Sequence, residues 1–169
     1  MTLVDLLKNF FLNNGMGWMV VGLFSCLTLG GLGSSKGLYI SGNQMAGILS
    51  EKPDLFGKLL VLMALPGTQG VYAFVLTFAG MIILKFNAGE TLSMGRGIAL
   101  FFCFILIGIV QYISAIYQGK NSAAAINLVA KQPDKAGGAI LIPAMVETYA
   151  LLAFVAGFVL LIFISASSL

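Results

Sequence analysis

The chain has 169 residues, 59% of them hydrophobic and only 9% charged, with nine Lys or Arg against six Asp or Glu and no histidine. An ordinary soluble domain is about 25% charged, so a water-soluble fold is excluded, and the high hydrophobicity excludes a disordered chain. A net charge of +3 without a clustered basic run gives no footprint for nucleic acid, and the missing histidine removes the commonest general base and metal ligand.

The gaps between charges set the fold class. Residues 9–35, 59–84 and 97–119 are uninterrupted uncharged runs of 27, 26 and 23 positions, and residues 136–169 form a fourth, of 34, broken only by Glu147. A membrane-spanning helix needs about 20 mostly apolar residues. The sequence therefore predicts an all-α integral membrane protein with four transmembrane helices. The first run is too long for a signal-peptide core and has no small-residue cleavage pattern behind it. Cys26 and Cys103 lie inside apolar runs without metal-type spacing, so neither a disulfide framework nor a zinc site is expected.

In chain order, a first helix is expected over about residues 11–49, stopped by Ser50-Glu51-Lys52-Pro53-Asp54. A second runs to about residue 86, followed by a turn at Asn87-Ala88-Gly89-Glu90-Thr91. A third covers about residues 92–130 and ends at Lys131-Gln132-Pro133-Asp134; the fourth runs from about residue 135 to the C-terminus. The two Pro-Asp turns are offset by 80 residues, and Pro66 and Tyr72 match Pro143 and Tyr149 at an offset of 77. The chain reads as two fused, duplicated helical hairpins, residues 1–86 and 87–169, in one membrane domain. Along this alignment Gly70 stands opposite Glu147, so only the second hairpin carries an intramembrane carboxylate.

Lys36, Lys52, Lys58, Lys120, Lys131 and Lys135 lie toward the Pro-Asp turns, whereas Lys8, Lys85 and Arg96 lie toward the other side. That bias favours cytoplasmic turns and external termini in a multi-pass protein of the cell membrane. Nine of the 21 glycines fall in residues 15–47, with Gly30, Gly33 and Gly37 on one helix face, and the third helix has a small patch at Ser122-Ala123-Ala124-Ala125. Small residues let helices approach closely in lipid. The pattern suits a compact four-helix monomer, or a crowded inner wall formed by the first and third helices in a ring of copies.

Glu147 lies near mid-membrane, where a carboxylate costs about 2.5–3.5 kcal/mol on insertion scales and marks a functional site by default. A protonated Glu147 used only for packing is the structural alternative. In the second helix Leu65, Thr68, Gln69 and Tyr72 are spaced i, i+3, i+4, i+7 and share a face; the third helix offers Gln111 amid apolar residues 105–116. A proton needs only the carboxylate. A hard cation needs several oxygens in place of its water shell, and the surplus of oxygens on Thr68, Gln69, Gln111 and Glu147 points to Na⁺. Pro66 and Pro143 each remove a backbone hydrogen bond inside a helix, either as ordinary kinks or to free carbonyl oxygens for a cation. Tyr72 either donates its hydroxyl to Glu147, fixing the carboxylate's direction, or packs between helices.

Leu-Pro-Gly-Thr-Gln-Gly-Val-Tyr at 65–72, Gln111 and Pro-Ala-Met-Val-Glu-Thr-Tyr-Ala at 143–150, on duplicated hairpins, resemble the proteolipid (c or K) subunit of rotary V-type ATPases, and within it the Na⁺-translocating bacterial members. The resemblance spans essentially the whole chain. It implies a non-catalytic rotor subunit in a homo-oligomeric ring, turned by ATP hydrolysis in a separate soluble head. It implies Na⁺ held by the Leu65 backbone carbonyl, Thr68, Gln69, Gln111 and Glu147, with Tyr72 bonding the carboxylate and H⁺ as competitor. It further implies lipid around the ring, a stator membrane subunit supplying an arginine, and a central stalk at the Pro53-Asp54 and Pro133-Asp134 turns. A proton-translocating relative and a small four-helix cation-coupled transporter are the competing readings; a purely structural membrane oligomer is a third.

Overall fold

The computed structural model describes residues 2–84 and 91–166, and every regular element among them is helical. An apolar run in lipid has one local way to satisfy its backbone, the helical hydrogen-bond ladder. Four runs meet that condition and are long enough to cross a bilayer: Met16–Leu49, Pro53–Ile83, Met94–Lys131 and Pro133–Ile164. Residues 87–90 of the turn expected at 87–91, residues 85 and 86 of the expected second helix and residues 167–169 of the expected fourth lie outside the described residues.

Ahead of the first span lies a separate short helix, α1 (Leu3–Phe11), where the sequence suggested none. Thr2 and Asp5 form a reciprocal capping box, the Asp5 amide donating to Thr2 Oγ1 at 3.2 Å and the Thr2 amide to Asp5 Oδ2 at 3.0 Å. The chain then breaks at Asn13-Asn14-Gly15, so the first spanning helix, α2 (Met16–Leu49), begins five residues later than expected. The break has a long-range cause. Asn14 Oδ1 accepts from the amides of Met16 and Leu92, both at 3.0 Å, and the Gly15 amide donates to Leu92 O at 2.8 Å.

The second span starts with a 3-10 turn at Pro53–Leu55, continues as α3 (Phe56–Ala64), passes a 3-10 turn at Leu65–Gly67 and ends as α4 (Thr68–Ile83). Pro66 explains the interruption, since its ring displaces the preceding turn and it has no amide to donate. The third span, α5 (Met94–Lys131), is unbroken over 38 residues. The fourth opens with a 3-10 turn at Pro133–Lys135 and the four-residue α6 (Ala136–Ala139), turns at Ile140 and becomes α7 (Leu141–Ala166). Pro143, expected inside a helix, sits instead in the first turn of α7, where its missing amide is tolerated.

α2 and α5 lie side by side with their backbones nearly touching. A Cβ on Gly119 would fall 2.5 Å from the carbonyl oxygen of Gly37, and one on Gly33 would fall 2.6 Å from Tyr112 Cα. The glycine face at Gly30, Gly33 and Gly37 is buried, as its spacing suggested. At one end Lys52 Nζ donates to Ala130 O at 2.6 Å, which brings the two Pro-Asp turns together.

The apolar interior comes in two parts. One cluster gathers Met19, Leu23, Leu76, Leu100, Phe104 and Leu161 toward the starts of α2 and α5; the other gathers Met45, Leu59, Leu62, Ile126 and Val129 toward the Pro-Asp turns. Between these stretches of sequence fall Ser34, Gln69, Gln111, Ser114 and Gln118, all buried. A polar belt therefore crosses the middle of an otherwise apolar bundle.

Candidate ion-binding site

Glu147 lies two turns into α7 and is half-buried, at the level of the polar belt. Its two carboxylate oxygens are held from two sides. Tyr72 Oη, on α4, donates to Oε1 at 2.6 Å, and Gln118 Nε2, on α5, donates to Oε2 at 3.2 Å. The Tyr72 ring also packs against Phe154, with centroids 5.3 Å apart and the rings tilted by 37°, which helps set the direction of its hydroxyl.

From Gln118 the network continues inward. Its Oε1 accepts from Gln69 Nε2 at 2.6 Å, while its Nε2 reaches Pro143 O at 3.3 Å. Gln69 also donates to Ser114 Oγ at 3.4 Å. Thr68 Oγ1 lies 3.0 Å from Leu65 O, to which it donates, and 3.4 Å from Gln69 Oε1. Pro66 contributes through the backbone: the 3-10 turn it imposes directs the Leu65 carbonyl at Thr68, whose amide and hydroxyl both donate to it.

Leu65, Thr68, Gln69 and Tyr72, which helical spacing placed on one face, thus form one connected cluster with Glu147 and Gln118. Gln111 stays apart from it. Its Nε2 donates to Ala150 O at 2.9 Å, and its buried Oε1 has no hydrogen-bond partner. Gln118 is the residue that sequence reasoning missed. The signal was present: Gln111, Ser114 and Gln118 are spaced i, i+3, i+7 on α5 and share a face. Gln118 stands at the very end of the charge-free run of residues 97–119, just before Lys120.

The matching place in the first hairpin is closed. The Gly70 amide donates to Ser34 Oγ at 2.8 Å, and a Cβ on Gly70 would fall 3.2 Å from that same oxygen. Among the described residues no group of three or more His, Cys, Asp or Glu comes together. The donor set is one carboxylate plus amide, hydroxyl and carbonyl oxygens, which suits a hard cation or a proton rather than a soft metal.

Two stretches of the chain, residues 21–79 and 101–160, each match the ATP synthase C-subunit family. The chain is 37% identical over 150 residues to the V-type sodium ATPase subunit K of Enterococcus hirae, covering 89% of this chain and 94% of that protein. It is 32% identical over 142 residues to the A-type ATP synthase subunit K of Methanocaldococcus jannaschii, covering 84% of this chain and 60% of that protein. Four apolar spans, a duplicated sequence and a carboxylate set in a mid-membrane polar belt accompany these matches. The chain belongs to the ATP synthase C-subunit family, as a multi-pass proteolipid with two copies of the family's domain and no catalytic site of its own.

Proposed function

We propose that this proteolipid is the Na⁺-carrying rotor subunit of a V-type ATPase, with Glu147 as the carrier. One observation supports the reading above the rest: the lone mid-membrane carboxylate of α7 faces a cluster of uncharged oxygen donors on α4 and α5. An ionised Glu147 moving past hydrocarbon would incur the cost of a bare charge. A cation bound between Glu147, Thr68, Gln69, Gln118 and the Leu65 carbonyl cancels that charge and has its own shell replaced by oxygens. The name carried by the E. hirae relative, a sodium ATPase subunit, agrees with that choice of ion.

In the geometry at hand Gln118 presents its amide nitrogen to Glu147, standing where a cation would stand. Loading the site requires that amide to turn its oxygen toward the carboxylate. Release requires a competing cation at mid-depth, which a partner supplies, an arginine of a stator subunit. The chain works as one of many copies in a ring surrounded by lipid, with α2 and α5 as the inner wall. The Pro53-Asp54 and Pro133-Asp134 turns face the cytoplasm and seat the central stalk.

Carbodiimide, which modifies protonated carboxyl groups, is the direct test. Glu147 is expected to be labelled, Na⁺ is expected to slow labelling, and protection is expected to weaken as pH falls because protons compete for the same group. Glu147→Gln is expected to abolish both labelling and transport while leaving the assembly intact. Labelling that responds to pH and ignores Na⁺ overturns the sodium assignment in favour of a proton carrier.

A further inference from the structure

The span that contains α7 is the least enclosed of the four: 17% of its most apolar window is buried, against 33–44% in the others. At the depth of Glu147, however, α7 is tied to α5 by a ladder of hydrogen bonds. Gln111 Nε2 donates to Ala150 O at 2.9 Å and Ser114 Oγ to Val146 O at 3.2 Å. Gln118 Nε2 donates to Pro143 O at 3.3 Å and Asn121 Nδ2 to Ile142 O at 3.5 Å. The donors ascend one face of α5 at i, i+3, i+7 and i+10, while the acceptors descend α7, as antiparallel neighbours require. The rungs bracket Glu147 on both sides.

Every acceptor in the ladder is a backbone oxygen. A carbonyl has two lone pairs, so it can take a side-chain donor in addition to its helical partner. Bonds to the backbone fix the height and rotation of the helix and leave the Glu147 side chain free to turn. Ser114 also accepts from Gln69, so it joins α4, α5 and α7 at a single atom.

We infer that Gln111, Ser114 and Asn121 are positioning residues, which set the register of α7 against α5 and hence the place of the Glu147 carboxylate, without contacting the ion. The inference rests on the ion-site reading above. It gives buried Gln111 a role that its separation from the carboxylate leaves otherwise unexplained.

The test uses the full chain in its assembled membrane form and reads the Na⁺ concentration that half-protects Glu147 from carbodiimide. Ser114→Ala and Gln111→Leu are each expected to raise that concentration about threefold, the size of a typical intramembrane hydrogen bond. Ser114→Thr keeps the hydroxyl and is expected to recover most of the loss. In a Tyr72→Phe background, where one of the contacts being positioned is gone, Ser114→Ala is expected to cost less than it does in the unaltered chain, because coupled residues are not additive. The inference is overturned by an unaltered Ser114→Ala protein, by Ser114→Thr behaving like Ser114→Ala, or by the full threefold loss persisting without the Tyr72 hydroxyl. If Ser114→Ala does not assemble, Asn121→Ala on the half-buried outer rung takes its place in the same cycle.

Absence of Na⁺ protection in the unaltered protein refutes the ion assignment alone. The same variants are then read by proton competition at Glu147, which faces Tyr72 from α4 and the uncharged Gln118 from α5.

Discussion

Replacing Tyr72 by Phe removes one oxygen atom and keeps the ring that packs against Phe154. The lost bond is short, 2.6 Å to Glu147 Oε1, and its strength depends on the state of its acceptor. A hydrogen bond to an ionised group contributes about 1.5–3 kcal/mol, against about 0.5–1.5 kcal/mol for a neutral one. With Na⁺ bound the carboxylate is ionised; with a proton bound it is neutral. On the sodium reading proposed above, the substitution is therefore expected to weaken Na⁺ binding relative to proton binding by about 1 kcal/mol, roughly fivefold at 25 °C. Carbodiimide labelling of Glu147 at fixed pH measures this directly, as a fivefold rise in the Na⁺ concentration that half-protects the group. The other oxygens of the proposed site, on Thr68, Gln69, Gln118 and the Leu65 carbonyl, are untouched, so protection is weakened rather than abolished. An unchanged or tighter half-protecting concentration would refute the claim that this hydroxyl favours the ionised form.

Gln118→Ala is expected to weaken Na⁺ protection about tenfold or more, since it removes both the amide oxygen that would turn to the ion and the partner of Gln69; a labelling assay that shows no change would remove Gln118 from the site. Gly119→Val is expected to prevent assembly, because its Cβ alone would fall 2.5 Å from a Gly37 backbone atom, whereas Gly31→Ala meets nothing within 4 Å and serves as the control in the same detergent-stability measurement. The Thr2 hydroxyl and amide hold the Asp5 carboxyl below its ordinary value of 3.8. A lowered value means the cap stabilises α1 at neutral pH and is lost as pH falls below that range. In detergent micelles an N-terminal peptide spanning α1 is expected to lose helicity on acidification by circular dichroism, with Thr2→Ala, which removes the hydroxyl and keeps the amide bond, weakening the pH dependence.

The four spans were legible because the bilayer imposes a single requirement, a long charge-free run, and residues such as Lys36, Lys58 and Arg96 mark where the runs stop. The start of α2 was not legible, since it depends on Asn14 meeting Leu92, 78 positions away. The same contrast holds within the site. Leu65, Thr68, Gln69 and Tyr72 share a helix, so spacing alone gathers them. Choosing between Gln111 and Gln118 is a different problem: they lie on one face of α5 two turns apart, and periodicity treats them alike. Only the relative height of α5 and α7 decides which one reaches Glu147, and that height is fixed by tertiary contacts.

The division of labour between helices follows from how each is held. α2 and α5 are locked by backbone-to-backbone contact at glycines, an attachment that tolerates almost no displacement. α7 meets the bundle differently. Near its end Leu161 is buried, and Gly157 packs beside Leu76 and Ile107, but around Glu147 its attachments are hydrogen bonds from α5 and a tyrosine from α4. Apolar packing in lipid gives little preference for one rotation over another, because lipid tails are as apolar as the neighbouring side chains. Hydrogen bonds are directional and do give that preference. The carrier role proposed for Glu147, which asks its carboxylate to present itself at one height and one angle, pass through hydrocarbon and then exchange its ion, suits a helix held in this way. Splitting the apolar core into two clusters is what leaves room for such bonds at mid-depth.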